Sequence, residues 1–382
     1  MTAFSEGAWE QEALDTLAEP LGWRPTKGDE IAPGRDERDI WDDLLIRPRL
    51  LEALRRLNPG VPGEYLHQAV AEIAAPKSQD AITENHRIHQ YLVGGYPLSY
   101  IDSHGVEQNP RLRLLGSDPS ENDWLAVNQV TLRQGDLHRR FDIVLFVNGM
   151  PLVVVELKRA GLASAGVPDA HRQLQTYLRE FPMAFRFCVL ALASDGVEAK
   201  YGTPFTPLNH FAPWNVDDDG APLAQPRLEN GMSVEPIDDA LNGLFNHERF
   251  LQLVRNFTAF DENSDGLTKR IAKPHQYFAV TKAVGSTVQA VETNGKAGVV
   301  WHTQGSGKSM EMELYANLVS RNPKLKNPTV IVVTDRTELD GQLFQTFAQS
   351  LLLSEKPVQV RERAQLREEL SNRVTGGIYF TT

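Results

Sequence analysis

The sequence predicts an α/β protein built from two successive domains. Residues 140–158 form two apolar, β-branched runs on either side of Asn148-Gly149, which is a strong signal for a β-hairpin. From about residue 297 onward, apolar strands alternate with helices, as they do in a parallel, doubly wound sheet. A stretch rich in Asp, Pro and Gly at 214–236 separates the two patterns. We therefore predict a first domain over 1–235, a helical connector over 236–260 and a second domain over 261–382.

The predicted elements of the first domain are helices followed by a small mixed sheet. Apolar residues at helical spacing predict helices over 6–20, 37–57, 62–75 and 168–180. Strands are predicted over 124–132, 186–193 and the two arms of the hairpin. The second domain is predicted to have strands at 297–301, 329–334 and 378–381, with helices at 308–320 and 338–353 between them.

Composition sets limits on the class of protein. The chain of 382 residues has a single cysteine, Cys188, which excludes a disulfide framework and suits a reducing, cytoplasmic setting. No apolar run approaches 18 residues and no leader pattern is present, so neither export nor a membrane span is expected. The net charge of −11 gives no sign of nucleic-acid binding, so any DNA contact must come from local basic patches or from partner subunits.

Three charges in the hairpin point to metal-dependent chemistry. Asp142 lies in the first arm, and Glu156 and Lys158 end the second, where residues two apart point to the same face. Such charges beside an apolar hairpin cost free energy unless they are compensated, and a divalent cation held by two carboxylates would compensate them. The pattern D-x(n)-E-x-K is a nuclease signature in which the carboxylates bind Mg²⁺ and the lysine polarises the attacking water. The backbone carbonyl of Leu157 is predicted as a further metal ligand.

This interpretation requires a particular hairpin register. A two-residue loop at Asn148-Gly149 would pair Asp142 with Val155 and turn it away from Glu156. A loop with an odd number of residues, or a bulge, would place Asp142 opposite Glu156.

The helix after the hairpin carries further candidates. Gln173 and Tyr177 are one turn apart and share a face, so they can position a DNA phosphate or a metal-bound water. Gln175 lies on a neighbouring face and is expected to matter less. In the first helix, Glu10 or Glu12 can supply another metal-side carboxylate, but the sequence does not choose between them and favours a solvated face for either.

A second constellation lies between a predicted strand and a predicted helix. Residues 302–309 match the phosphate-loop pattern G-x-x-x-x-G-K-[ST] except that His302 replaces the first glycine. Backbone N–H groups of such a loop surround phosphate oxygens, Lys308 reaches the β and γ phosphates, and Ser309 ligates Mg²⁺. Gln276, about 25 residues upstream, can read an adenine edge. The predicted ATP ligands are Gln276, Thr303, Gln304, Gly305, Ser306, Gly307, Lys308 and Ser309.

One apparent metal motif is better interpreted as a turn. Residues 261–266 copy the first half of a calcium loop, but Ala272 stands at the twelfth position, where a bidentate Glu is required.

With both constellations in view, the chain resembles the N-terminal part of the restriction and motor (R) subunit of Type I restriction-modification enzymes. The residues that carry this resemblance are Arg140–Gly149, Val155–Lys158, Gln173–Tyr177, Ser194–Gly196, His275–Tyr277 and His302–Ser309. Phe141 departs from the Pro that is more usual before the catalytic Asp. The resemblance implies a PD-(D/E)xK restriction-endonuclease-like domain followed by a RecA-like P-loop domain of the superfamily 2 helicase type. The latter is expected to be truncated, because the chain stops at Thr382 before a D-E-x-H segment.

The resemblance also implies an activity. The full-length protein is expected to use ATP and Mg²⁺ to translocate and cleave double-stranded DNA, alongside specificity and methyltransferase subunits. This fragment alone is expected to bind ATP weakly without hydrolysing it. Two alternatives remain open: a non-catalytic domain that docks DNA or a partner on a translocase, and a Type III-like restriction subunit.

Overall fold

The computed structural model describes residues 6–158, 166–224, 227–229, 232–234, 236–371, 373 and 375–382. The chain packs as two compact units, 1–255 and 256–382, which are described separately. The boundary between the two units, at residues 255 and 256, lies inside the segment predicted as a connector. Most of that segment, 236–260, packs within the first unit. Trp23, for example, donates its indole N–H to the carbonyl of Phe245 at 2.9 Å.

The first unit contains seven α-helices and twelve strands among its described residues. The helices are α1 (Glu6–Ala18), α2 (Arg47–Leu57), α3 (Gly63–Ala74), α4 (Ala81–Gly94), α5 (Val167–Glu180), α6 (Pro236–Phe245) and α7 (His247–Asn256). The strands are β1 (Arg24–Lys27), β2 (Tyr96–Pro97), β3 (Tyr100–Ile101), β4 (Glu107–Gln108), β5 (Arg111–Leu112), β6 (Trp124–Gln134), β7 (Leu137–Val147), β8 (Met150–Leu157), β9 (Leu190–Ser194), β10 (Ala199–Gly202), β11 (Arg227–Glu229) and β12 (Met232–Val234).

A six-stranded mixed sheet in the order β1-β6-β7-β8-β9-β10 organises the first unit. Strands β6, β7 and β8 form an antiparallel meander, while β8 and β9 run parallel. A parallel pair needs a crossover connection, and α5 provides it. Helix α5 buries Val167, Ala170, Leu174 and Tyr177, at the 3–4 residue spacing of one helical face. These residues join the apolar side chains of β6, β7 and β8 in one core cluster.

The predicted helix over 37–57 forms only in its second half. Asp43 accepts a hydrogen bond from the backbone N–H of Leu45, and Arg38 donates to the carbonyl of Asp43 at 2.8 Å. These side-chain bonds to the backbone compete with helical hydrogen bonding. Helix α2 then begins at Arg47, with Pro48 in its first turn, where a missing N–H costs nothing.

The second unit has a parallel sheet and a separate hairpin. Its helices are α8 (Pro274–Val291), α9 (Lys308–Arg321), α10 (Thr337–Gln349) and α11 (Arg363–Ser371); its strands are β13 (Thr258–Asn263), β14 (Gly266–Ile271), β15 (Thr329–Val333), β16 (Val358–Gln359) and β17 (Gly377–Thr381). The parallel sheet has the order β15-β17-β16. The calcium-like stretch lies in the β13–β14 hairpin, whose strands pair from Thr258↔Ile271 to Asn263↔Gly266.

The predicted strand at 297–301 is wrong for this structure. The side chains of Val299 and Trp301 are 90% and 89% exposed, and the residues have no strand geometry. An apolar segment forms a β-strand only when a neighbouring strand pairs with its backbone N–H and C=O groups. None of the described strands pairs with this segment.

None of the described helices is both long enough and apolar enough to cross a membrane.

Candidate functional site

The hairpin turn and one bulge decide where Asp142 lies. Asn148 and Gly149 both have positive φ, at 53° and 77°, and form a two-residue turn closed by the pair Val147↔Met150. The register then shifts between Leu145 and Phe146. Beyond this bulge Ile143 pairs with Val155, so the register continues with Asp142 beside Glu156. The geometric requirement stated from the sequence is therefore met by a bulge and not by an odd-numbered loop.

Each of the three charged residues of the hairpin makes a short polar contact within the hairpin. A carboxylate oxygen of Asp142 accepts the backbone N–H of Leu157 at 2.8 Å. The ammonium of Lys158 lies 2.5 Å from Oε1 of Glu156. Glu156 is 1% exposed, so its negative charge needs a nearby positive charge, which Lys158 supplies.

Helix α5 adds a polar group above this cluster. The hydroxyl of Tyr177 donates to the carbonyl of Arg140 at 3.1 Å. Burial raises the pKa of Tyr177 above its ordinary value, and the charges of Glu156 and Asp142 raise it further. Gln173, one turn before Tyr177 on α5, partly offsets this rise in the pKa of Tyr177, so its side chain lies near the same hydroxyl.

Gln175 behaves differently from Gln173 although it lies on the same helix. Its amide nitrogen donates to the carbonyl of Pro204 at 3.1 Å. The side chain of Gln175 therefore contacts the backbone of a loop and not the hairpin. It serves as a control for Gln173.

The structure also shows what Glu10, one of the two glutamates named in the first helix, contacts. Glu10 is buried and accepts hydrogen bonds from the side-chain amides of Asn128 and Gln129 on β6. Gln129 has a φ of 55° and faces Asp142 in the β6–β7 register, between the pairs Asn128↔Ile143 and Val130↔Phe141. Because this link depends on how α1 docks against the sheet, no spacing in the sequence could have identified Glu10.

In the second unit, the glycine-rich loop precedes α9 as predicted. Gly305 and Gly307 have φ values of 82° and 88°, which residues with a Cβ rarely adopt. The ammonium of Lys308 donates to the carbonyls of His302 and Thr303, at 3.1 and 2.8 Å. The buried hydroxyl oxygen of Ser306 has no hydrogen-bond partner among the described residues.

Gln276 packs directly on this loop. Its amide nitrogen lies 3.3 and 3.2 Å from the carbonyls of Ser306 and Gly307, and its amide oxygen accepts the N–H of Lys273. A Cβ at Gly307 would approach the Gln276 amide nitrogen to 2.5 Å, and the φ of 88° disfavours any residue that has a Cβ. Backbone groups therefore already bond both ends of the Gln276 amide. The predicted contact between Gln276 and adenine stays a prediction.

Both sites suit the groups that the sequence implies. Two carboxylates beside a lysine offer the oxygen donors that Mg²⁺ prefers. The loop offers backbone N–H groups at a helix N-terminus, a lysine, and the unpartnered hydroxyl of Ser306, which together suit a polyphosphate.

The fold and the two constellations describe a protein that joins a nuclease-like α/β unit to a helicase-like unit. Residues 3–210 match the family model described as the N terminus of the Type I restriction enzyme R protein. Residues 275–382 match the SWI2/SNF2 ATPase model. Because the first match covers more than half of the chain, the chain belongs to the family of Type I restriction enzyme R protein N termini.

Curated relatives agree with this membership. The chain is 36% identical, over 99% of its length, to the Type I restriction enzyme HindI endonuclease subunit of Haemophilus influenzae. It is 27% identical, over 95% of its length, to the putative type I restriction enzyme MjaIXP endonuclease subunit of Methanocaldococcus jannaschii. The chain spans about a third of the length of these relatives, 36% and 35% respectively.

Proposed function

We propose that the first unit is a PD-(D/E)xK nuclease that hydrolyses phosphodiester bonds of double-stranded DNA in the presence of Mg²⁺. The observation that carries the proposal is the bulged register, which brings Asp142 beside Glu156 and Lys158. The relatives' names, all of endonuclease subunits, support it.

The residues of the site have distinct proposed roles. Asp142 and Glu156 are the proposed metal-binding carboxylates, with the carbonyl of Leu157 as a third ligand. A bound Mg²⁺ would supply the positive charge that stabilises the negative charge developing on the phosphate. Lys158 donates a hydrogen bond to the attacking water and orients it. Gln173 and Tyr177 hold a phosphate oxygen or this water, because the Tyr177 hydroxyl stays protonated at neutral pH.

We infer that the second unit binds ATP through residues 303–309, with Ser309 as a ligand of the accompanying Mg²⁺. In a protein of the relatives' length, ATP use would drive translocation along DNA before cleavage. Specificity and methyltransferase subunits are the proposed partners, since the relatives are named as subunits of restriction enzymes.

The test is Mg²⁺-dependent cleavage of unmethylated double-stranded DNA by the complete restriction complex. Asp142→Ala, Glu156→Ala and Lys158→Ala are each expected to lower cleavage by at least about 100-fold, because a site that acts as a unit fails when one member is lost. ATP hydrolysis is expected to persist in all three variants. Gln175→Ala is the control and should cleave normally.

Two outcomes would contradict the proposal. Normal cleavage by any of the three variants would remove the assigned residue from the site. Tight DNA binding by the wild-type complex, with no cleavage at any Mg²⁺ concentration, would favour a non-catalytic docking domain.

A further inference from the structure

Three potential metal ligands converge in the second unit, outside the roles assigned above. His275 is the second residue of α8, His302 lies in the glycine-rich loop and Glu311 is in the first turn of α9. One ligand atom from each residue lies within 4.8 Å of the other two. No spacing in the sequence groups these three residues, because they come from three separate segments.

The distances within this cluster are close to those of a coordination sphere. Nδ1 of His302 lies 2.8 Å from Oε1 of Glu311, and Nε2 of His275 lies 3.8 Å from the same oxygen. The two imidazole rings meet edge to face, with centroids 5.2 Å apart. Ligand bonds of about 2.0–2.2 Å in a tetrahedral zinc site place the ligand atoms roughly 3.3–3.6 Å from one another. Small side-chain rotations would therefore bring all three atoms onto one ion.

The chemistry of the donor set favours a transition metal. Two imidazole nitrogens and one carboxylate are the protein ligands of several zinc sites that keep a fourth position open. Mg²⁺ prefers oxygen ligands alone, so this cluster discriminates against the ion expected at the nucleotide and nuclease sites. Glu311 is 6% exposed, and a bound cation would compensate its buried charge.

An ion can reach the cluster, and its binding requires no loss of a backbone hydrogen-bond partner. A cavity of about 500 Å³ is lined by His275, His302 and the loop residues 303–306, so an ion can reach the cluster. Nε2 of His275 now lies 2.9 Å from the carbonyl of Ser306. If His275 turned toward an ion, that carbonyl would keep the amide of Gln276 as a donor at 3.3 Å. The rearrangement therefore leaves no carbonyl without a partner.

The geometry points to a binding site for Zn²⁺ or a similar divalent transition-metal ion formed by His275, His302 and Glu311. The bound ion cross-links the start of α8, the glycine-rich loop and the first turn of α9. It consequently stabilises the second unit independently of nucleotide.

The experiment titrates Zn²⁺ alone into the full 382-residue chain, freed of metal with a chelator, and follows binding by calorimetry. Wild type is expected to bind one equivalent at this site. His302→Ala and Glu311→Gln are expected to weaken that binding at least tenfold, since even residues outside the first coordination sphere change metal affinity by roughly 10–100-fold. His138→Ala is the matched control, because His138 is exposed in the first unit and should not matter.

A second measurement, of thermal unfolding, distinguishes loss of Zn²⁺ binding from misfolding of a variant. Zn²⁺ is expected to raise the thermal unfolding temperature of the wild type and to leave that of Glu311→Gln unchanged. Gln keeps the length of Glu and can still accept a hydrogen bond from His302, so this variant should fold. Ser309→Ala, which removes the proposed Mg²⁺ ligand of the nucleotide site, should still bind Zn²⁺, so failure of the ATP proposal would be distinguishable. Unchanged Zn²⁺ affinity in both folded ligand variants would overturn the site.

Discussion

At the scale of single residues, the hairpin site shows how burial sets the state of a side chain. Tyr177 is buried beside two carboxylates, and both effects hold its pKa above the ordinary value for tyrosine. The hydroxyl therefore remains a hydrogen-bond donor across the physiological pH range. Gln173 lies near the same hydroxyl, and the two side chains share one face of α5.

Removing the hydroxyl tests this face directly. Tyr177→Phe is expected to reduce the DNA cleavage rate about tenfold, which corresponds to one hydrogen bond worth roughly 1.4 kcal/mol. Gln173→Ala is expected to behave similarly. Gln175→Ala, whose side chain contacts Pro204 instead, should stay within about twofold of wild type in the same cleavage assay. Equal losses in Gln173→Ala and Gln175→Ala would contradict the assigned face.

Glu10 gives a second prediction at this scale. Its carboxylate is held by Asn128 and Gln129, next to Asp142 in the sheet, so we expect it to orient the proposed metal-binding carboxylates. Glu10→Gln is expected to raise the Mg²⁺ concentration needed for half-maximal cleavage by about tenfold or more. Glu12→Gln, one half-turn away on α1, is the control and should have little effect on that concentration. A change in maximal rate without a change in Mg²⁺ dependence would argue for a different role.

At the scale of elements, the turn between β7 and β8 is fixed by its surroundings. Gly149 has a φ of 77°, and a Cβ there would lie 2.4 Å from the carbonyl of Ile46 and 2.8 Å from Cβ of Arg49. The backbone N–H of Ile46 also donates to the carbonyl of Gly149 at 2.9 Å. The start of α2 and the hairpin turn therefore hold each other in place, and they hold the register that the site needs.

This contact predicts unequal effects for two glycines with similar backbone angles. Gly149→Ala must adopt a left-handed backbone, at about 1–2 kcal/mol, and must also push α2 away. Gly135→Ala, in the preceding turn at a φ of 58°, has nothing within 4 Å of its Cβ and carries only the backbone cost. Denaturant unfolding should show a clearly larger loss of stability for Gly149→Ala. Equal losses would mean that the turn is not confined by α2.

At the scale of the whole molecule, the chain divides into two units with separate chemistry. The carboxylate–lysine cluster belongs entirely to 1–255, and the glycine-rich loop belongs entirely to 256–382. Each site is assembled within its own unit, so each should respond to mutation independently.

Lys308→Ala tests this independence. Loss of the loop ammonium is expected to lower ATP affinity at least tenfold, measured by calorimetry on the purified chain, because a charge-assisted contact to phosphate is lost. Mg²⁺ binding at Asp142 and Glu156 is expected to remain unchanged in the same variant. Loss of both ATP affinity and Mg²⁺ binding in this variant would show that the two sites do not act separately.

Several features of the protein could be predicted from the sequence because they depend on local chemistry. The Asn148-Gly149 turn follows from backbone conformations that few residues tolerate. The position of the glycine-rich loop before α9 follows from its own pattern of glycines. That Gln173 and Tyr177 share one face of α5 follows from helical spacing alone, and the role of both side chains at the hairpin stays a prediction.

Other features were decided only by the tertiary structure, because they depend on contacts between distant segments. The bulge that sets Asp142 beside Glu156 depends on pairing along the whole of β7 and β8, and two registers were open until that pairing was known. The contacts of Glu10 depend on the docking of α1 against β6, and the cluster of His275, His302 and Glu311 depends on the approach of α8 to α9. The segment 297–301 has the composition of a strand but lacks a described partner, since backbone hydrogen bonds of a strand require a neighbour that composition cannot supply.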